Sequence, residues 1–595
     1  HHLLKQRDDV HIDIFESLPV PFGLSRYGVA PDHPEVKNVE NTFRTFFEQR
    51  PQDVNLLANV TVGDKGIPLR LLQEHYHAVV LAHGAATNRQ LGIEGEGLQN
   101  VLPAKRFVEY YNTLPAPLID PRLCPLDVED ARRVVIIGNG NVALDCARVL
   151  GLGYKHFCPT DMNCFAVRAL MNSVVEEIIV VGRRGVEHSA FTTKEFRELA
   201  TTSNHCAVEV EDFDLEAAVE RSKDVRGKKR QLELMHKYCA SSAAERRAAA
   251  EAADPIPEAE KSPAASPNDM RGSFSIFRKG GMVDQAHQDR RTPNFKPRND
   301  PTAQPAPNPN LARRKVVFTY NLTPKMITPN PINKKKCGGV VFTDREGREV
   351  LIPADAVLTS IGYKTQPVRG APFDERAAVV PNRHGRVESE EVLPEGVSAA
   401  RLYTAGWAKT GPRGVIVSTM QSSAETAHVI SADFDAAKAV EEEQQRRAAA
   451  AAKTGGNADD ASASATVIEE GDAGAAAAGV LGATGEGKYG LIDYLVEMKA
   501  HPISYSQVRK KIWPAERKRG LDLGKPAEKI PSIDDMMDIA GGTELMQRRA
   551  TDRFLGNAPA RPPGLELLED WLDPESEISD LSDPERKTPT FNFRL

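Results

Sequence analysis

Apolar positions along the chain fall into short β-branched runs separated by amphipathic stretches. Val134–Ile137 and Glu177–Val181 (EIIVV) are continuous apolar runs, the pattern of strands buried on both faces. Val10–Phe15 alternates like a half-buried strand and ends in Glu16. Val60–Val62, Tyr76–Leu81, Val357–Gly362 and the start of Leu402–Lys409 predict further strands. Val36–Phe47, Asn141–Leu150 and Val415–Ile430 carry helical spacing. Strands alternating with helices predict an α/β fold with doubly wound parallel sheets. Two stretches break the pattern. Ala253–Pro309 is rich in Pro, Ala, Asn and Ser, and Glu441–Gly487 in Ala, Gly and Glu. Neither has a periodic apolar face to offset its ordering entropy. Both are expected to be disordered insertions, although Glu441–Lys453 can also be read as a continuation of the preceding helix. Tyr489–Ile539 regains apolar spacing and is expected to pack back on the body, with a loose acidic tail from Asn557.

Residues 132–150, RRVVIIGNGNVALDCARVL, join a strand to a helix through Gly138-Asn139-Gly140. The spacing is G-x-G-x-x-A, the dinucleotide-binding fingerprint in its strand–turn–helix setting. Gly138 permits the turn. A side chain at Gly140 would block a pyrophosphate. Ala143 lets helix and strand pack closely, and the free N–H groups at Asn141 and Val142 face the phosphates along the helix dipole. Glycine-rich turns of this form also occur for packing alone.

The second apolar run, 177–181, is followed by Gly182-Arg183-Arg184-Gly185. An acidic residue after this strand suits the ribose 2′-hydroxyl of NAD, and a basic one the 2′-phosphate of NADP. Two adjacent guanidinium groups favour NADP, because each can pair bidentately with phosphate. The competing reading is a solvated basic turn. From Gly138 to Arg183 is about 45 residues, roughly twice the usual ~20, so Gly151–Asn172 reads as an insertion.

Composition narrows the classes. A chain of 595 residues predicts several domains. Lys and Arg total 76 against 83 Asp and Glu, a net charge of −7. That balance lacks the basic surplus that nucleic acid or an anionic membrane asks for. No apolar run approaches the ~18 residues of a transmembrane helix. The seven cysteines include no C-x-x-C, which excludes the common local dithiol and paired-cysteine metal sites and fits reduced structural thiols. The chain starts without Met, as if inside a helix, and its first strand lacks a sheet partner. A truncated chain is expected, with the glycine fingerprint that belongs to Glu16 about 20 residues upstream.

Six segments carry a resemblance. They are VPFGLSRYGVAPDHPEVKNVENTF (20–43), HAVVLAHGA (77–85), IIGNGNVALDCAR (136–148), VVGRRGVEHSAFTTKEFRE (180–198), SIGYKTQP (360–367) and GWAKTGPRGVIVSTM (406–420). With HPISYSQVRKKIWPAERKRGLDLGKPAEKI near the C-terminus, the chain resembles the adrenodoxin reductase family, the mitochondrial-type NADPH:ferredoxin reductases. The resemblance implies two Rossmann-like domains, the NADP domain inserted in the FAD domain. The FAD domain would comprise 1–105 and 363–595, and the NADP domain 106–362. It implies non-covalent FAD, NADPH as hydride donor and a small acidic [2Fe–2S] ferredoxin as acceptor, serving iron–sulfur cluster assembly or ferredoxin-dependent monooxygenation. It also implies a mitochondrial matrix location, with at most peripheral contact at the inner membrane.

Carried over by position, FAD would meet Glu16, Leu24 and Val62 at its adenosine end and Trp407, Gly414, Val415 and Ile416 at its ring. NADPH would meet Asn139, Gly140, Asn141, Val142, Arg183, Arg184, Glu195 and Gly414. The resemblance places His33 and Asp145 near the flavin, where they would balance protons; the bland alternatives are a loop-fixing hydrogen bond and a helix residue satisfied by a neighbour. The basic run Arg226, Lys228, Lys229, Arg230 lies where the family docks its ferredoxin, although charge alone favours a solvated helix start. No metal site is expected. Two other functions stay open: a non-catalytic NADP-binding protein that has lost FAD, and the reductase-like subunit of a glutamate synthase. The latter needs upstream cysteine motifs, which this chain does not show.

Overall fold

The computed structural model describes residues 1–201, 206–211, 215–222, 226–238, 314–389, 393, 397–414, 416–454, 483–498 and 500–541. Its central feature is a six-stranded parallel sheet in the order Val101–Pro103, Ala356–Thr359, Arg133–Ile137, Glu177–Val181, Arg314–Thr319, Cys206–Val210. The two continuous apolar runs lie at its centre because both faces are covered. Val134, Ile136, Ile178 and Val180 point into a core shared with the Asn141–Leu152 helix. Val135, Ile137, Ile179 and Val181 point to the opposite face. There they pack under an antiparallel meander, Thr323–Pro329, Cys337–Thr343 and Glu349–Pro353.

Smaller sheets flank this unit. Ile12–Glu16 pairs in parallel with Val54–Ala58. Leu402–Thr404 pairs in parallel with Val79–Leu81, within a four-stranded sheet. The C-terminal segment packs back as expected. Ile503, Val508, Ile512, Ile530 and Met536 share a core with Val10, Val54 and Leu56. Ala58 and Ile503 exchange backbone hydrogen bonds at 3.0 and 2.9 Å.

Several boundaries differ from the sequence pattern. The second strand is Val54–Ala58, not Val60–Val62. Asn59, at φ 61°, ends the strand; Val60 N still donates to Glu16 O at 2.9 Å, and Val62 bridges Ile67. The helix expected over 36–47 is split at Asn38 into Pro34–Lys37 and Val39–Gln49. The interruption at 151–172 is built of two further helices, Tyr154–Phe157 and Cys164–Asn172. Residues 441–454 are not disordered, since one helix runs from Ile416 to Thr454. Paired charges such as Glu443 and Arg447, 2.8 Å apart at i,i+4, support its exposed end. The last part of that supposed insertion also folds, and Thr484 N donates to Glu74 O at 2.9 Å. The stretch 253–309 and the tail from 557 lie outside the described residues. Six of the seven cysteines are described, and no disulfide joins any of the six.

Candidate functional site

The register Ile137↔Val181 sets the two strand ends side by side. The chain then turns at Gly138, whose N donates to Val181 O at 2.9 Å. Its φ is 117°, and a Cβ here would sit 2.2 Å from Ser360 O. Only glycine is compatible with that position. Gly140 differs. It has φ −92° and ψ 178°, and a Cβ would meet nothing within 4 Å. Open space therefore adjoins the N-terminus of the Asn141–Leu152 helix, with Val142 in its first turn. The loop after the second strand is tied to this turn. Asn139 O accepts from Ala190 N at 3.1 Å, and Asn141 Oδ1 accepts from Thr192 N at 2.9 Å. Arg183 and Arg184 stand exposed at the end of that strand. Free helix N–H groups, an uncrowded glycine and two solvent-facing guanidiniums fit a phosphorylated dinucleotide.

One turn further along the same helix lies a buried ionic cluster. Arg148 is 1 % exposed. Its Nε donates to Asp32 Oδ2 at 2.7 Å, and its Nη2 to Asp32 Oδ1 at 3.0 Å and to Asp145 Oδ1 at 2.8 Å. The buried His33 places Nε2 3.5 Å from Glu198, 3.8 Å from Glu195 and 3.9 Å from Asp32. Its Nδ1 lies 3.3 Å from Glu35. Burial raises the Asp145 carboxyl above its ordinary range, against the pull of Arg148. Burial also raises Glu195, and the neighbouring Asp145 adds to it. Burial acts the same way on Asp32, but hydrogen bonds from His156 and Arg148 win and hold it well below the usual carboxylate range. His33 with Asp145 and Glu195, or with Glu35 and Glu198, brings three donor atoms within 4.8 Å of one another. Arg148 and Lys194 already supply cationic charge to these carboxylates.

The remaining expected residues spread over the flanking sheets. Glu16 ends its strand, and its carboxylate accepts from Leu18 N at 3.0 Å. Burial raises its pKa. Leu24 is 48 % exposed, a large apolar side chain left open on the surface. Val62 is half-buried. Trp407 opens a short helix after Gly406, which has φ 62°. Its ring lies 5.9 Å from that of Tyr363. Gly414, at φ 81°, precedes the long helix. Val415 lies outside the described residues, and so does the side chain of Ile416. Positive-φ glycines at 406 and 414 around a half-buried indole fit a flat aromatic ring.

The basic run opens the Arg226–His236 helix. The Arg226 side chain is outside the described residues. Lys228 Nζ donates to Ser189 O and to Gln231 Oε1, and burial, then the charge of Arg184, lowers its pKa. Lys229 and Arg230 are exposed. Sequence reasoning missed Asp32, Arg148 and Glu198. A signal was present: Asp145/Arg148 and Glu195/Glu198 are i,i+3 pairs, each on one helix face.

A parallel sheet with a glycine turn and paired arginines at its carboxyl edge, flanked by a second parallel strand pair with its own glycine turns, defines a two-dinucleotide oxidoreductase fold. No protein-family model matches the chain. It is 33% identical to the mitochondrial NADPH:adrenodoxin oxidoreductase of Salvelinus fontinalis, over 91% of this chain and 88% of that protein. The human protein of the same name is 32% identical over 91% of this chain and 89% of its own length. Among solved structures, Mycobacterium tuberculosis FprA in complex with NADPH superposes with a TM-score of 0.61 at 25% identity, covering 91% of this chain and 95% of that one. The chain belongs to the NADPH:adrenodoxin oxidoreductase family.

Proposed function

We infer that the protein is a mitochondrial NADPH-dependent ferredoxin reductase. It passes electrons from NADPH through FAD to a small [2Fe–2S] ferredoxin. The observation that carries this reading is the placing of Arg183 and Arg184 beside the open Gly140 turn. FAD, when bound, would supply hydride acceptance from NADPH and release of electrons singly. Everything else is positioning by the chain.

In this reading Gly140, Asn141 and Val142 admit the NADPH pyrophosphate to the helix N-terminus, with Asn139 shaping the turn. Arg183 and Arg184 clamp the 2′-phosphate. Trp407, Gly414, Val415 and Ile416 flank the flavin ring, and Glu16, Leu24 and Val62 its adenosine side. The NADP unit, expected over 106–362, also takes in Val101–Pro103, which pairs with Ala356–Thr359 in its sheet; the rest of 1–105 with the described residues from 363 forms the FAD unit. His33 and Asp145 serve the proton balance at the flavin and Glu195 meets NADPH; the raised Asp145 and Glu195 carboxyls keep a proton to higher pH than free ones would. Lys229 and Arg230 face solvent and orient an acidic ferredoxin. Contact with the inner membrane would be peripheral, since among the described residues no helix is long and apolar enough to cross a membrane.

The test is anaerobic mixing of the FAD-loaded protein with NADPH. The flavin absorbance should bleach and then recover on addition of oxidised [2Fe–2S] ferredoxin. Bleaching without recovery would remove ferredoxin as the acceptor.

A further inference from the structure

Away from the glycine turns, a cavity of about 160 Å³ lies between three parts of the chain. The Gly23–Gln49 region contributes Arg26, Lys37 and Arg44; residue 161 contributes an aspartate; the C-terminal segment contributes Trp513, Arg517 and Lys529. The cavity lies behind the short Gly23–Tyr27 helix. Leu24 and Arg26 are about 200° apart around that helix. Leu24 is 48 % exposed and Arg26 7 % exposed. The cavity is thus on the face opposite the one assigned above to the flavin.

Its charge is unbalanced. Five cations line it against three carboxylates, Glu40, Asp161 and Glu516. Glu516 is committed to Arg26, and Glu40 lies 3.3 Å from Arg44. Asp161 is shared, 2.7 Å from Lys37 and 3.2 Å from Lys529. That leaves an excess of two positive charges. Lys529 is 4 % exposed, and beyond its 3.2 Å ion pair with Asp161 its Nζ finds no acceptor among the described residues. The Nε of Arg26 is buried and without a hydrogen-bond partner among them. Burying such donors unsatisfied is costly. Burial pulls the Lys529 ammonium down to about 8 against the pull of Asp161, and the nearby charges of Lys37 and Arg26 add to the fall. At ~30 Å³ per water the space holds about five waters, enough for one tetrahedral oxyanion and residual hydration.

We propose that this cavity is an anion site for a phosphate dianion, free or at the end of a small phosphomonoester, held by Lys529, Arg26 and Arg517. Two charges on the ligand cancel the excess of two, and its oxygens accept from the Arg26 Nε and from the Lys529 Nζ, whose three donors face one shared carboxylate. Bound there, it ties the N-terminal loops to the C-terminal segment and to the Asp161 loop, so its effect is read as stability.

The experiment is thermal unfolding of the full chain in increasing inorganic phosphate, against sodium chloride at matched ionic strength. Tm should rise saturably by a few degrees with phosphate and not with chloride. The rise should persist in the Arg183→Ala/Arg184→Ala variant, which separates this site from the NADPH phosphate clamp. It should vanish in Lys529→Met. Should Lys529→Met fail to fold, Arg517→Glu, at an exposed position, decides the matter by the same criterion. Glycerol 3-phosphate in place of phosphate separates a free anion from a monoester: a rise with either one supports the site. A rise that survives in Lys529→Met or in Arg517→Glu, or no rise beyond that of chloride with either ligand, overturns it.

Discussion

Arg148 reaches across 116 positions of sequence to Asp32, with Nε 2.7 Å from Oδ2 and Nη2 3.0 Å from Oδ1. The bidentate pair joins the helix that follows the glycine turn to the Pro- and Gly-rich loop 19–33. It is nearly solvent-free, with side chains 2 % and 9 % exposed. Removing one partner of such a pair leaves an uncompensated buried charge. Arg148→Met should therefore lower stability by about 3–5 kcal/mol, measured from urea unfolding midpoints. The double variant Asp32→Asn/Arg148→Met should lose less than Arg148→Met alone. Equal losses would mean that the loop is held by other contacts.

The same pair sets an acid limit. The Asp32 carboxyl is depressed in the folded state. Its contribution is fully present above the unfolded value of about 3.9 and is lost as pH falls towards the folded one. Stability should drop more steeply below about pH 4 in the native protein than in Asp32→Asn. Parallel acid titrations of the two would contradict this.

The glycine turn separates folding from binding. At Gly138 a Cβ collides with Ser360 O and φ is positive, so Gly138→Ala should cost stability, by roughly 1–3 kcal/mol or more. At Gly140 a Cβ meets nothing and φ is ordinary. Gly140→Ala should keep the native Tm while raising the Kd for NADPH at least tenfold. Unchanged NADPH binding in Gly140→Ala would place the pyrophosphate elsewhere.

Cofactor choice rests on the paired arginines. Each charge-assisted pair with a 2′-phosphate is worth roughly 1.5–3 kcal/mol. Arg183→Ala/Arg184→Ala should raise KM for NADPH by a hundredfold or more, leaving KM for NADH little changed. Steady-state kinetics with both nucleotides is the check, and equal effects on the two would remove the clamp.

The docking surface is narrower than the basic run of sequence. Lys228 spends its ammonium on Ser189 O and Gln231, so Lys229 and Arg230 remain to steer an acidic partner. Lys229→Glu/Arg230→Glu should slow ferredoxin reduction several-fold at low salt. The difference should fade as the Debye length shrinks towards about 8 Å at physiological ionic strength. Direct reduction of a small quinone should be unaffected. Retention of both the rate and the salt dependence with ferredoxin would move the docking site to another face.

The sequence by itself determined the local parts of this protein. Two unbroken apolar runs meant strands covered on both faces, and Gly138, Gly140 and Ala143 meant a strand–turn–helix built for a phosphate, because these depend on neighbours a few positions away. It also placed Arg183 and Arg184 at a strand end. Only the tertiary structure decided that Val54–Ala58 pairs with Ile12–Glu16, because a short apolar run becomes a strand when a partner edge is available. Only the fold could bring Asp32, His33, Asp145, Arg148 and Glu195 into one buried cluster, or set Lys529 beside Asp161 from 368 positions away. Buried ionic groups are costly unless paired, and the partners that make them tolerable come from distant segments that no local pattern connects.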